Sequence, residues 1–329
     1  MHSGMDAGRS PELSTESHRF LDTLTERSRR FDGQPPFSDQ SLVDVVSGRR
    51  TLITADIDGR PAAAAILTVD SDLSDSTEAG SDTAVPAPTE AELVVDPDAR
   101  HRGLGGQLVR DLIDAAPGEL LIWAHGDHPD ARALAARLGF APVRELLQLR
   151  APVPSATAVS GERAARPTAD TMSDFRPGVD DAEWLALNAR SFADHPEQGS
   201  LVQADLDARV AESWFDRRDF IVARDDSGAM VGFCWLKVEG KVESDADAVV
   251  GSDAAIGEFY AVGVDPGHQG TGLGRRLVDA GMTRLAERGI RVASLYVEGD
   301  NTRALALYRS VGFDSHSIDI QYALASTAR

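Results

Sequence analysis

The sequence predicts two tandem copies of a mixed α/β domain joined by a linker. Three observations carry that prediction. The chain has 329 residues, more than one ordinary domain needs and enough for two. The stretch from Ala91 to Ala116 is echoed by the stretch from Phe259 to Ala286, with Asp96-Pro97 and Asp265-Pro266 in register at an offset of 169 residues. Each stretch then runs into a strand-like segment, from Leu120 and from Ala293, and into a short helical pattern ending at Gly139-Phe140 and Gly312-Phe313. Four features in one order point to duplication of a whole domain, not to a short-period solenoid.

The elements of a copy are read most clearly in the second half. Asp181 to Phe192 places Trp184, Leu185, Leu187, Asn188 and Phe192 near helical spacing, and Ala204 to Phe215 puts Leu206, Val210 and Trp214 on one helical face. Phe220 to Ala223 and Met230 to Val238 read as strands around an Asp-Asp-Ser-Gly turn, and Gly257 to Val264 as a third strand. Gly274 to Gly289 is a long helix with Leu277, Val278, Gly281 and Leu285 as its apolar face. This order makes an α/β (α+β, mixed-sheet) layer, not a bundle or a sandwich. Ala, Pro and Ser dominate the aperiodic stretch after Ala151, so the expected boundaries are residues 1–150, a linker at 151–170, and residues 171–329. Two acidic stretches, Asp70 to Glu90 and Glu239 to Asp253, precede the repeated strands and read as solvated hairpin loops.

Composition narrows the function. Asp plus Glu number 53 against 33 Lys plus Arg, a net charge of −20, which excludes gripping a nucleic-acid backbone and disfavours anionic membranes. A hydrophobic fraction of 42% supports a real core. The single cysteine, Cys234, allows no intrachain disulfide, and the apolar run Ala62 to Val69 is far too short to span a bilayer. The first residues lack the apolar centre of a secretory signal. The expectation is a cytoplasmic, soluble monomer with a small-molecule partner. His195 has no second ligand at metal spacing, so no metal is expected, and Cys234 reads as core.

The chemistry concentrates in Gln269-Gly-Thr-Gly-Leu-Gly274, between a strand and a helix. Glycines there turn backbone N–H groups toward one point, and the helix adds its positive end, so the segment suits phosphate oxygens. It lacks the GxGxxG spacing of a dinucleotide site and the Gly-Lys-Ser/Thr of a Walker loop. Taken alone it is also compatible with a structural turn.

Val262-Gly263-Val264-Asp265-Pro266, the glycine loop, Asn301-x-x-Ala304-x-x-x-Tyr308 and Gly312-Phe313 together resemble the GNAT superfamily of acyl-CoA-dependent N-acetyltransferases. The first half resembles it through Val94-Val95-Asp96-Pro97, Arg100-x-x-Gly103-x-Gly105 and Gly139-Phe140. The resemblance implies two tandem GNAT-like domains and acetyl-CoA as the acetyl donor. It implies cofactor contacts from Val262, Gly263 and Val264, and from Gln269, Gly270, Thr271, Gly272, Leu273, Gly274 and Arg275. Asn301, Thr302, Arg303, Ala304, Leu305 and Ala306 are implied to approach the thioester end. In the first copy Leu93, Val94, Val95, His101, Arg102, Gly103, Leu104, Gly105 and Gly106 take the matching positions.

The copies differ. At that offset of 169 Glu258 meets Thr89, with Glu90 and Glu92 at the opposite strand parity; aligning Gly312-Phe313 with Gly139-Phe140 pairs Tyr308 with Ala135, Tyr296 with Trp123 and Asn301 with His128. Acetyl transfer needs a base to deprotonate the amine and profits from an acid at the departing thiolate. Glu258 is the candidate base and Tyr308 the candidate acid, with a strand N–H near Val262 for the oxyanion. Each also has an ordinary reading: a solvated strand carboxylate and a core tyrosine. Their joint retention in one copy marks the second half as the active transferase and the first as a degenerate copy that holds acetyl-CoA without turning it over.

Asn188 to Gly199, Cys234-Trp-Leu-Lys237 and Leu295 to Asn301 resemble, more narrowly, a tandem GNAT branch that acetylates the cysteinyl amine of a cysteine–glucosamine–inositol conjugate. That resemblance implies acceptor contacts from Asp39, Glu197, Lys237, Glu258 and Tyr296, with Asp39 standing where the family usually has Glu. With no Cys–His pair in view, direct transfer to the amine is expected over a covalent acyl-enzyme. Two other readings stay open: another acceptor (a protein N-terminus, a polyamine or an aminoglycoside), and a non-catalytic acyl-CoA-binding module.

Overall fold

The computed structural model describes residues 13–68, 88–116, 118–155, 171–193, 196–238 and 255–324. They form two compact units: Met1–Leu146 with Ser317–Arg329, and Leu147–His316. The expected two-copy α/β organisation is present. The units depart from the boundaries 1–150 and 171–329 in one respect, because each takes its last strand from the segment that follows the other's last helix. Of the expected linker, Ala151 and Pro152 belong to a strand, and residues 156–170 lie outside the described residues. The acidic stretches fall almost entirely outside them as well.

In the N-terminal unit, helices α1 (Thr15–Asp32) and α2 (Asp39–Val46) precede strands β1 (Arg50–Ile57), β2 (Arg60–Thr68) and β3 (Thr89–Val95). Helix α3 (Leu104–Ala115), β4 (Leu120–Ala124), α4 (Pro129–Leu138) and β5 (Phe140–Pro152) follow. Ser14 caps α1, its hydroxyl accepting from the Ser17 N–H at 3.1 Å, and Gly33 ends the helix in the left-handed region at φ 76°. The sheet runs β1, β2, β3, β4 and then β11 (Asp314–Leu324). Only the β3–β4 pair is parallel. Strand alternation sends Ala91, Leu93 and Val95 to a core under α3 and α4, and Val94 to a second core under α1 and α2.

The C-terminal unit repeats the plan. Strand β6 (Thr171–Asp174), helices α5 (Asp181–Ser191), α6 (Pro196–Gly199) and α7 (Gln203–Val210), and strands β7 (Phe220–Arg224), β8 (Met230–Val238) and β9 (Ile256–Val264) come first. Helix α8 (Leu273–Glu287), β10 (Val292–Glu298) and α9 (Thr302–Ser310) close the unit. Its sheet runs β6, β7, β8, β9, β10 and then β5, with β9–β10 the parallel pair. The second expected helix is shorter than Ala204 to Phe215, because Trp214 and Phe215 leave it to pack on Trp235. One face of the sheet is closed by an aromatic cluster. Phe220 stacks on Trp235 at 4.3 Å and on Phe175 at 4.2 Å, and the fully buried Trp184 meets both Phe220 and Trp235 edge-on. The other face packs on Leu273, Leu277, Val278, Gly281 and Leu285 of α8, the stripe its spacing predicts.

Candidate functional site

In the C-terminal unit β9 and β10 pair in parallel over three rungs: Ile256 with Val292, Gly257 with Ala293 and Glu258 with Ser294. Past that point the two strands part. On its other edge β9 continues along β8 to Val264, with a register shift where Leu236 pairs Phe259 and Trp235 pairs Ala261. Tyr260 is the extra residue of a β-bulge, which turns the local backbone and frees its groups from the ladder. The Tyr260 phenol accepts from Arg209 Nε at 2.8 Å.

This geometry distributes the predicted side chains over the two faces of the sheet. Lys237, Glu258 and Ser294 lie opposite one another across β8, β9 and β10, so they share a face, and Tyr296 joins them two residues along β10. The Lys237 ammonium sits 5.6 Å from the centroid of the Trp214 ring. Tyr308, on α9, lies on the opposite side. It is buried and packs edge-on against Phe313, 5.8 Å between centroids, and Phe313 in turn packs on Phe259. Burial, with Cys234 close by, pushes the Tyr308 phenol well above its ordinary pKa and keeps it protonated. The Cys234 thiol is itself fully buried and pushed far up by burial, as a core residue should be.

The glycine loop follows β9 and leads into α8. Gly270 (φ 79°) and Gly272 (φ 85°) sit in the left-handed region that other residues resist, and Gly272 is the N-cap of α8. The first N–H groups of that helix have no partners within it, and no side chain caps them. Gln269 accepts from Arg303, which ties the loop to α9, and Arg275 bonds Asp279 and the Ser310 carbonyl. Asn301 serves the fold directly, since its side chain caps α9 by accepting from the Ala304 N–H at 3.0 Å. Parted strands, left-handed glycines and a helix N-terminus form a cleft whose loop end suits phosphate oxygens.

The Asp39 and Glu197 side chains, and His195, lie outside the described residues; the backbone of Asp39 opens α2 and that of Glu197 lies in α6. Among the described residues no group of three His, Cys, Asp or Glu is placed to hold a metal ion, and no helix is long and apolar enough to cross a membrane.

The N-terminal unit shows what the offset alone misread. Its β2–β3 register is unbroken from Ala63–Val95 to Leu67–Ala91, so β3 has no bulge. Removing the one-residue bulge at Tyr260 brings Glu90, not Thr89, into the place of Glu258. The β3–β4 rungs agree, pairing Glu90 with Leu121 as Glu258 pairs Ser294. The first copy therefore keeps a carboxylate there, engaged by Gln321 Nε2 at 3.2 Å. Ala135 does stand, buried, in its α4. A cavity of about 780 Å³ opens in this unit beside Leu93, Val94, Val95 and the loop His101 to Gly106, with Gly103 at φ 91°. Of the first-copy cofactor candidates only Arg102 does not line it.

Sequence reading missed a buried cluster at the edge of that cavity. His125 Nδ1 lies 3.2 Å from Asp319 Oδ2, and Nε2 lies 3.6 Å from Glu92 Oε1. The Glu92 carboxylate also accepts from the Ser38 N–H and hydroxyl, each at 2.9 Å. Burial alone would lower the His125 pKa, but Asp319 and Glu92 outweigh it and raise it to about 9. Burial alone would raise Glu92, but His125 and Ser38 hold it below the usual carboxylate range. Asp319 is 194 positions from His125 in the chain, so no local pattern announces the contact.

Comparison with known proteins bears on the same geometry. The sequence profile of the acetyltransferase (GNAT) family matches residues 18–140 and 183–313. A mycothiol acetyltransferase of Sanguibacter keddieii is 42% identical over 99% of both chains. One from Clavibacter michiganensis subsp. michiganensis is 44% identical over 92% of this chain and 90% of its own. Among solved structures, a GCN5-related N-acetyltransferase from Sphaerobacter thermophilus superposes with a TM-score of 0.64 at 20% identity, covering 92% of this chain and 90% of its own. A tandem GNAT protein from the clavulanic acid biosynthesis pathway gives 0.62 at 16% identity and 93% of each chain. These two likenesses concern the fold.

Proposed function

The chain belongs to the acetyltransferase (GNAT) family, and from that membership we propose that it moves the acetyl group of acetyl-CoA onto the cysteinyl amine of a cysteine–glucosamine–inositol conjugate, completing mycothiol. The observation that carries the reading is the 42% identity to a mycothiol acetyltransferase along 99% of both chains. The row of Lys237, Glu258 and Ser294, with Tyr296 beside it, supports it as an acceptor surface.

In this reading the C-terminal unit does the chemistry. Glu258 takes the proton from the acceptor ammonium, directly or through a water, and the freed amine attacks the thioester carbonyl. A backbone N–H near the bulge, between Tyr260 and Val262, steadies the oxyanion. Tyr308, kept protonated by burial, gives its proton to the departing thiolate. The gap between β9 and β10 suits this division, since base and acid stand on its two sides. The glycine loop from Gln269 to Arg275 takes the pyrophosphate, Val262, Gly263 and Val264 lie along the pantetheine arm, and Asn301 to Ala306 flank the thioester end. Lys237 and Tyr296 bond the sugar; Asp39 and Glu197 are further acceptor contacts on the resemblance alone. The N-terminal unit holds acetyl-CoA in its cavity without turning it over, since it has neither the bulge nor a phenol where Ala135 stands.

The test is direct: the purified chain with acetyl-CoA and the conjugate, following thiol release and product mass. Acetylation of a peptide N-terminus or of spermidine, with none of the conjugate, overturns the proposal.

A further inference from the structure

Strand β5 brings two polar side chains to the acceptor face that neither the glycine-loop motif nor the family resemblance singles out. Within the C-terminal unit β5 lies next to β10. Its alternation buries Leu147, Leu149 and Ala151 on one face and leaves Gln148 and Arg150 half-buried on the other. The Gln148 amide donates to the Tyr296 phenol oxygen at 2.8 Å. Tyr296 is 48% exposed, unusual for so large a ring, and shares its face with Lys237, Glu258 and Ser294. Because the phenol oxygen accepts from Gln148, the phenol's own proton points away from it. Arg150 stands two residues along the same face, close enough to Tyr296 and His316 to interact electrostatically with both. Its Nε is buried and has no hydrogen-bond partner among the described residues, a state that costs free energy unless a water or a ligand relieves it.

We propose that Gln148 and Arg150 form an acceptor-recognition corner: Gln148 holds the Tyr296 hydroxyl as a donor, and Arg150 offers N–H groups to an oxygen borne near the reacting amine. The inference rests on the acetyltransferase reading of this unit and adds a rule of selection to it. Acceptors carrying a hydroxyl, carbonyl or carboxylate oxygen close to the amine gain bonds. Polyamines bring further cations toward a fixed guanidinium and lose by it. Gln148 and Arg150 are positioning and specificity residues, since the base and the acid lie elsewhere.

Steady-state kinetics of the full chain test this with three acceptors: the cysteinyl conjugate, free cysteine and spermidine. In Arg150→Met and in Gln148→Leu the KM for the oxygen-bearing acceptor should rise about ten-fold or more, the loss expected for a charge-assisted or buried hydrogen bond. The acetyl-CoA KM should stay within two-fold. Arg150→Lys should recover part of the loss, and Arg150→Met should narrow the preference against spermidine. Equal movement of both KM values, or an acceptor KM unchanged in both variants, overturns the corner. Wild type active on cysteine but not on the conjugate overturns the acceptor named above and leaves the corner standing. Preference of wild type for spermidine overturns both. Circular-dichroism melting of each variant separates misfolding from lost recognition, and the Arg150→Lys rescue decides the case if Arg150→Met unfolds.

Discussion

Glu258 and Ser294 face each other across the last parallel rung between β9 and β10. One residue further, Phe259 turns to α8, and the bulge at Tyr260 carries β9 away from its former register. The carboxylate thus stands where the two strands part.

That position makes Glu258→Gln the most informative single change. Amide for carboxylate keeps size and removes the proposed base, so kcat should fall about 100-fold or more with acetyl-CoA affinity retained. Part of the loss should return at high pH, where more of the amine is already neutral. A kcat within a few-fold of wild type in stopped-time assays would remove Glu258 from the mechanism.

Tyr308→Phe deletes one hydroxyl from a buried ring that keeps its packing on Phe313. We expect a kcat loss of about ten-fold or more with little change in either KM. A kcat within a few-fold of wild type argues that water protonates the thiolate.

The left-handed glycines test each cleft separately. A Cβ at Gly272 or Gly103 strains the loop by about 1–2 kcal/mol, with φ of 85° and 91° respectively. Gly272→Ala should raise the acetyl-CoA KM of the reaction. Gly103→Ala should leave that KM alone and reduce acetyl-CoA bound per chain from two to one in calorimetric titration. One molecule bound by the wild type would mean the N-terminal cavity does not take the cofactor.

The cluster around His125 makes a pH prediction. Its pKa is about 9 in the folded chain against 6.5 for an ordinary histidine, so its contribution is full below about pH 6.5 and drains away as pH rises through 9. The shift corresponds to a margin on the order of 3 kcal/mol. Urea unfolding of wild type and His125→Gln should differ most near pH 6 and converge above pH 9; a gap independent of pH would refute the ion pairing.

Gly281→Ala probes packing. An added Cβ would lie 2.5 Å from the Phe259 ring and 3.0 Å from Cys234 Sγ, an overpacking that costs about 1–3 kcal/mol. The melting temperature should fall while acetyl-CoA still binds.

Much of the fold was legible because it follows local rules. Met230–Val238 is a strand as read, and the helix expected at Gly274 to Gly289 forms over Leu273–Glu287, since an apolar stripe and a glycine cap specify it within a few turns. The Asp-Pro, glycine-loop and Gly-Phe marks recur in both units for the same reason. Glu90 was misplaced because a bulge adds one residue without any local sequence mark, and one residue reverses every side chain upstream of it.

The duplicated order of elements, the two glycine loops and the candidate base and acid are written in short-range spacing and side-chain chemistry. Which unit receives Ser317–Arg329, where β9 parts from β10, and that Gln148 meets Tyr296 and His125 meets Asp319 are not. Those contacts join residues far apart in the chain, and their partners are selected by register and burial in the finished sheets, where a buried charge must find an opposite and a strand edge must find a neighbour.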